Sequence, residues 1–192
     1  MRLKFNNIGL LALISIILNS CVTTPPKKIN NICTIFEEKR SWHHTLNKVE
    51  QEWGVEPHIL MAIIYQESSF KSTAQPPKKK GIFNFGHVST AYGYAQALDG
   101  TWDEYKKDTG NFFAIRSDFG YATDFMGWYI DKTESRTGAS KNDAYKQYLA
   151  YHEGAGGFNR GTYKRKKWLM KVARKVARLA ETYRKQIPGC KY

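Results

Sequence analysis

From His58 to Phe70 the chain reads HILMAIIYQESSF, with Pro57 directly ahead. After His58 the run is apolar up to Tyr65, and it then delivers one carboxylate, Glu67. Proline suits the first turn of a helix, where its missing N–H is not needed. Ser68 and Ser69 favour an ending over a continuation. A helix that is apolar on nearly every face is a buried one, so the rest of the chain has to be arranged around it. Glu67 then falls on the last turn, where the chain leaves the core. Partial desolvation and the negative end of the helix dipole both disfavour its charge there. Both raise its pKa, which is what a general acid working near neutral pH needs. From this stretch alone, an ordinary surface glutamate at a helix end explains the pattern equally well.

The remaining periodicity is helical. Ser41 precedes a run in which Trp42, Leu46, Val49 and Trp53 recur at spacings of three and four, followed by Gly54. That predicts an amphipathic helix capped by Ser41 and stopped by the glycine. From Lys71 to about Tyr94 no helical period appears, and Pro76, Pro77, Gly81, Gly86 and Gly93 mark a long loop. Phe83 and Phe85 either pin that loop down or close over a ligand; Lys78 to Lys80 read as solvated. Thr101 and Glu104 have capping-box spacing for a helix that carries Trp102 and Tyr105 and ends before Gly110. The next starts at Asp118 or Phe119. Ser140 is the expected cap of a further one, through Ala144, Tyr148, Leu149 and Tyr151. GAGGFNRG, from Gly154, reads as a turn. The last helix spans about Tyr163 to Lys185, with Trp168, Leu169, Val172, Val176, Leu179 and Tyr183 as its stripe and Pro188-Gly189 as its stop. No segment alternates like a strand, so the fold class is all-α.

At 192 residues the chain suffices for one domain with a good core, and 14% aromatic content argues against disorder. Arg2, Lys4 and the apolar run from Ile8 to Leu18 read as a signal peptide, the run being too short for a comfortable membrane span. Leu18-Asn19-Ser20-Cys21 resembles a bacterial lipobox, although Asn19 departs from it. The division expected is residues 1–20 as signal peptide, 21–32 as lipidated Cys21 and polar tether, and 33–192 as the domain. An ordinary signal peptide with a nearby cysteine is the alternative. Cys33 and Cys190 bracket the domain, and in an exported chain they are a candidate disulfide. Chain entropy assigns such a bridge roughly 5 kcal/mol at most.

The formal net charge of +13 points to an anionic partner or surface without choosing among nucleic acid, lipid and acidic wall polymer. Ten Lys or Arg lie between Lys164 and Lys185 against the single acid Glu181. A solvated basic face explains them, and adsorption to lipid or nucleic acid is the sharper alternative. The five histidines show no metal spacing, and there is no nucleophile elbow.

Three stretches occur in order: Gln66-Glu67-Ser68-Ser69-Phe70, Gly93-Tyr94-Ala95-Gln96 and Ala150-Tyr151-His152-Glu153-Gly154. Their order and residue types resemble the lytic transglycosylase family, in its soluble-type, lysozyme-like branch. The resemblance covers about Trp42 to Tyr183. It implies a lysozyme-like all-α domain with no cofactor and no metal, acting as a monomer on peptidoglycan glycan strands and not on nucleic acid. Glu67 matches the catalytic glutamate and Ser68 the serine after it. Gln96 matches the substrate-contacting glutamine, and Tyr151 the tyrosine that helps orient the carboxylate. Tyr94-Ala95 stand where the family has Leu-Met, and His152 stands where it has asparagine. The family's additional serine has only Ser89 as a candidate. The implied reaction cleaves the bond between N-acetylmuramic acid and N-acetylglucosamine and forms a 1,6-anhydromuramyl end. The alternatives are a hydrolytic muramidase on the same fold and a non-catalytic wall-binding lipoprotein. The implied location is the periplasm of a Gram-negative bacterium, lipid-anchored with the outer membrane expected.

Overall fold

The computed structural model describes residues 23–78 and 86–191. The leader, Cys21, Phe83 and Phe85 lie outside them. The described residues form α1 (Ile32–Glu38), α2 (Arg40–Trp53), α3 (Pro57–Ser68), α4 (Asp99–Thr109), α5 (Phe119–Thr137), α6 (Ala144–Asn159) and α7 (Lys167–Gln186). Short 3₁₀ turns follow α6 (Thr162–Arg165) and α7 (Ile187–Gly189). Among these residues, β-structure is confined to two isolated bridges, Lys78 with His87 and Tyr92 with Ala97. The fold is all-α.

Helix α3 is the centre. Every residue from Pro57 to Ile64 is buried. The helix packs against α2, α5, α6 and α7. Ile59, Leu60, Met61, Ile63 and Ile64 are each at most 1% exposed. Such side chains contribute about 1.5–3 kcal/mol apiece when fully buried, so α3 carries a large share of the core energy.

Helix α2 buries Trp42, Leu46 and Val49 and ends at left-handed Gly54, as its pattern predicts. Its start differs: the helix begins at Arg40 with no side-chain cap, and Ser41 lies inside the first turn, its carbonyl accepting from Thr45. Helix α5 crosses α2 at Gly127, where a Cβ would lie 2.5 Å from the Trp53 ring and 2.8 Å from Val49. Only a hydrogen there lets the two backbones approach so closely.

Three more boundaries depart from expectation. Helix α4 starts at Asp99 without a side-chain cap, and Glu104 pairs with Lys132 on α5 instead of completing a capping box. Asp143, not Ser140, caps α6 by accepting from the Lys146 N–H. The glycine-rich stretch is no simple turn: α6 runs on to Asn159 through a kink at Gly154 (φ 69°, ψ 160°). Helix α7 buries Leu169, Ala173, Val176, Ala180 and Tyr183, whereas Trp168 is 55% exposed and does not belong to its core stripe.

The chain ends are fastened together. Cys33 and Cys190 form a disulfide with Cα atoms 5.0 Å apart. The Gln186 side chain accepts from the Ile32 N–H at 2.9 Å and donates to the Asn30 carbonyl at 3.0 Å. Tyr183 donates to the Ile29 carbonyl. Pro26 is buried, and the Thr23 and Tyr94 hydroxyls are hydrogen-bonded. Residues 23–31 are therefore not a free tether. They form a strap laid on the domain, preceding the short helix α1, for which the sequence shows no clear period.

Candidate active site

Helix α3 leaves the core at Tyr65, Gln66 and Glu67, which keep part of their surface open to solvent. The backbone then reverses abruptly. Ser69 (φ 51°) and Phe70 (φ 60°) are both left-handed. Non-glycine residues pay about 1–3 kcal/mol each for such geometry, so something must hold them. Phe70 does: its ring is fully buried, 5.5 Å from the rings of both Trp42 and Tyr65. Trp42 in turn stacks on Phe119 at 3.8 Å and meets the Tyr94 ring edge-on at 5.8 Å. One aromatic cluster thus underlies both the turn after Glu67 and the turn that contains Tyr94.

That second turn, residues 93–97, is equally constrained. At Gly93 (φ 77°) a Cβ would lie 2.1 Å from the Arg116 carbonyl oxygen, so only glycine fits. Gln96 is also left-handed (φ 50°), and its side-chain amide donates to the carbonyls of Ala74 (2.8 Å) and Gly93 (3.0 Å). Among the described residues, the three non-glycine positions with positive φ are Ser69, Phe70 and Gln96. All three lie in the two turns that flank the site.

Helix α6 brings two tyrosines to Glu67. The Tyr148 hydroxyl donates to the Glu67 carboxylate. Tyr151, one turn later, donates to the Ala95 carbonyl and packs on Tyr129 with ring centroids 5.0 Å apart. Tyr151 thereby ties α6 to the Gln96 turn. Burial pushes the Glu67 carboxyl up to about 7, against the opposing hydrogen bond from Tyr148. Burial, reinforced by the nearby Glu67 charge, keeps both phenols protonated far above neutral pH. The centre is one carboxyl that titrates near neutrality, fixed by a phenol that does not.

The transglycosylase SLT domain family matches residues 9–190. The chain belongs to it. No curated protein matches the chain. Membership makes this a lytic-transglycosylase-type domain, whose polymer is the peptidoglycan glycan strand.

The SLT domain places the other sequence candidates unevenly. Ser68 is buried, with its hydroxyl donating to the Ile64 carbonyl at 3.1 Å. Tyr94 is 1% exposed and builds the aromatic cluster. Ser89 is exposed and accepts from the Ala91 N–H at 3.4 Å. His152 is exposed and lies 3.0 Å from the Glu153 carboxylate. Glu153 itself is committed: its side chain is 4% exposed and bonded to Lys166 at 2.6 Å and to the Thr162 hydroxyl. Burial opposes its ionisation, but hydrogen bonds from Lys166, Thr162 and His152 prevail and hold it at about 2. Glu153 locks the kinked end of α6 to the start of α7.

Sequence reasoning missed Tyr148. Its signal was available: it precedes Tyr151 by three residues, the spacing that puts two side chains on one helix face. A separate groove lies elsewhere among the described residues. It measures about 910 Å³ and is lined by residues of α2, α4 and α5, including Trp53, Asp124 and Trp128, but not by Glu67. There Asp124 accepts from Trp53 (2.7 Å), Tyr105 (2.5 Å) and Asn111 (3.2 Å), joining three elements. Among the described residues no His, Cys, Asp and Glu cluster could hold a metal ion.

Proposed function

We propose that the protein is an exported lytic transglycosylase that cleaves the β-1,4 bond between N-acetylmuramic acid and N-acetylglucosamine. The observation that carries this reading is the Glu67 carboxyl, raised by burial to about 7 and bonded to Tyr148. A single group poised at neutrality serves in turn as acid and as base. Protonated Glu67 gives its proton to the glycosidic oxygen as the bond to muramyl C1 breaks. The resulting carboxylate takes the proton from the muramyl C6 hydroxyl as that oxygen bonds to C1. The product is a 1,6-anhydromuramyl end, no water is consumed, and Glu67 is protonated again. Glu153 is tied up as a structural ion pair, which suits a one-carboxylate mechanism better than the paired carboxylates of most glycosidases. Gln96, the one residue of its turn that keeps part of its surface open, meets the sugar. Lipidated Cys21 anchors the enzyme in the periplasm, on the outer membrane.

Digestion of purified peptidoglycan, followed by mass analysis of the muropeptides, tests this. Anhydro ends are expected. Products heavier by one water identify a hydrolytic muramidase, and absence of cleavage identifies a wall-binding protein.

A further inference from the structure

Phe112, Phe113, Ile115 and Leu98 are 68%, 93%, 56% and 48% exposed, respectively. They do not lie scattered. The Arg116 guanidinium donates to the Ala97 carbonyl at 2.8 Å and pairs with Asp99 at 2.8 Å, so it grips both neighbours of Leu98. The Asp118 N–H closes a turn on the Ile115 carbonyl at 3.1 Å. The loop between α4 and α5 is thereby fixed beside Leu98 with its large apolar side chains in water, an arrangement that marks a contact surface.

A second observation points to what covers it. The Tyr94 N–H donates to the Arg116 carbonyl at 3.3 Å, and the Tyr94 hydroxyl bonds Thr23, where the strap ends. Cys21 lies two residues before Thr23 in the chain. At roughly 3.3–3.6 Å per residue, it is attached within about 10 Å of Thr23. On the reading of Cys21 as lipidated, the acyl chains start within that distance of Thr23, and Tyr94 links Thr23 to the loop. From Leu98 to Asp118 the chain carries five acids against three bases, so apolar contact and not charge is what this face offers a bilayer.

We propose that Phe112, Phe113, Ile115 and Leu98 form a bilayer-contacting face that seats the domain on the membrane beside its lipid anchor. The inference rests on the reading of Cys21 as the lipidated residue. It sets an orientation: the loop between α4 and α5 faces the bilayer.

The test uses the full acylated protein in vesicles of phosphatidylethanolamine and phosphatidylglycerol. An environment-sensitive dye is attached in Phe113→Cys and, separately, in Lys171→Cys on α7. Brominated acyl chains are expected to quench the dye at position 113 and not at 171. A water-like dye at 113, quenching at 171 alone, or dye–dye self-quenching at 113 from a second copy would each overturn the proposal. Intact mass reports acylation independently. If Cys21 carries no acyl group, the anchor reading fails, but the protein added to the same vesicles still reads the face. The double variant Phe112→Ser, Phe113→Ser is then expected to bind at least about tenfold more weakly, and unchanged binding would overturn the proposal.

Discussion

The Tyr148 hydroxyl is hydrogen-bonded to the Glu67 carboxylate, across the junction of α6 and the last turn of α3. The bond stabilises the charged carboxylate, while burial disfavours it more strongly. The balance leaves Glu67 at about 7. If Glu67 is the acid, activity declines as pH rises through that value. Tyr148→Phe removes the stabilising bond, so the alkaline limb of the pH–rate profile moves upward. Turbidity loss of wall sacculi across pH measures it; an unmoved limb would show that Tyr148 does not tune Glu67.

Glu67→Gln is expected to abolish lysis by about 10²- to 10⁴-fold while leaving the fold intact. It also has a stability signature. The folded pKa of about 7 exceeds the unfolded value, so the native state holds the extra proton, and its stability falls as pH rises from about 4.5 to 7. The cost above pH 7 is roughly 3 kcal/mol. The glutamine variant escapes it, so its melting temperature should exceed wild type at pH 8 by roughly 5–10 °C and match it near pH 4. Parallel thermal melts at the two pH values decide.

Glu153 has the opposite sign. Its folded pKa of about 2 lies below the unfolded value, so its contribution is present above about pH 4.5 and is lost as pH falls toward 2. Glu153→Gln should lower the unfolding midpoint at pH 7, with the difference closing in acid. At low temperature the variant keeps its anhydro-forming activity. Abolished activity in a fully folded Glu153→Gln protein would make this carboxylate a catalytic group.

Gly93→Ala pushes a methyl group into the Arg116 carbonyl and should cost at least about 2 kcal/mol, read from chemical denaturation. Because Gln96 sits on the same turn, sugar binding should weaken along with stability.

Reducing the Cys33–Cys190 bridge reopens a loop with a sequence separation of 157. A loss of up to roughly 5 kcal/mol follows from chain entropy. Thiol counting before and after reduction, paired with denaturation curves, checks both the bond and its size.

Much of the fold was legible because it rests on local periodicity. The all-round apolar character of α3, the stripe of α2 and the order of the three motifs follow from residue type and spacing, and they single out Glu67. Caps were less legible. Ser41, Ser140 and the Thr101–Glu104 pair all have cap-like chemistry, yet Lys39, Asp143 and Leu98 occupy those ends, because packing decides where each helix begins. Trp168 has the right spacing for the core and still faces outward, beside His152 at 5.2 Å.

The amino-acid sequence by itself determined that this chain is helical, that one apolar helix must be central, and that Glu67 leaves it on the last turn. The tertiary structure alone decided the chemistry of that carboxyl. Its shift comes from burial by distant segments, and its hydrogen bond comes from Tyr148, 81 positions away. The same holds for Glu153, whose partners Thr162 and Lys166 reach it only through the kink at Gly154. A pKa is set by which groups share a low-dielectric space, and residue spacing along a chain does not specify that sharing.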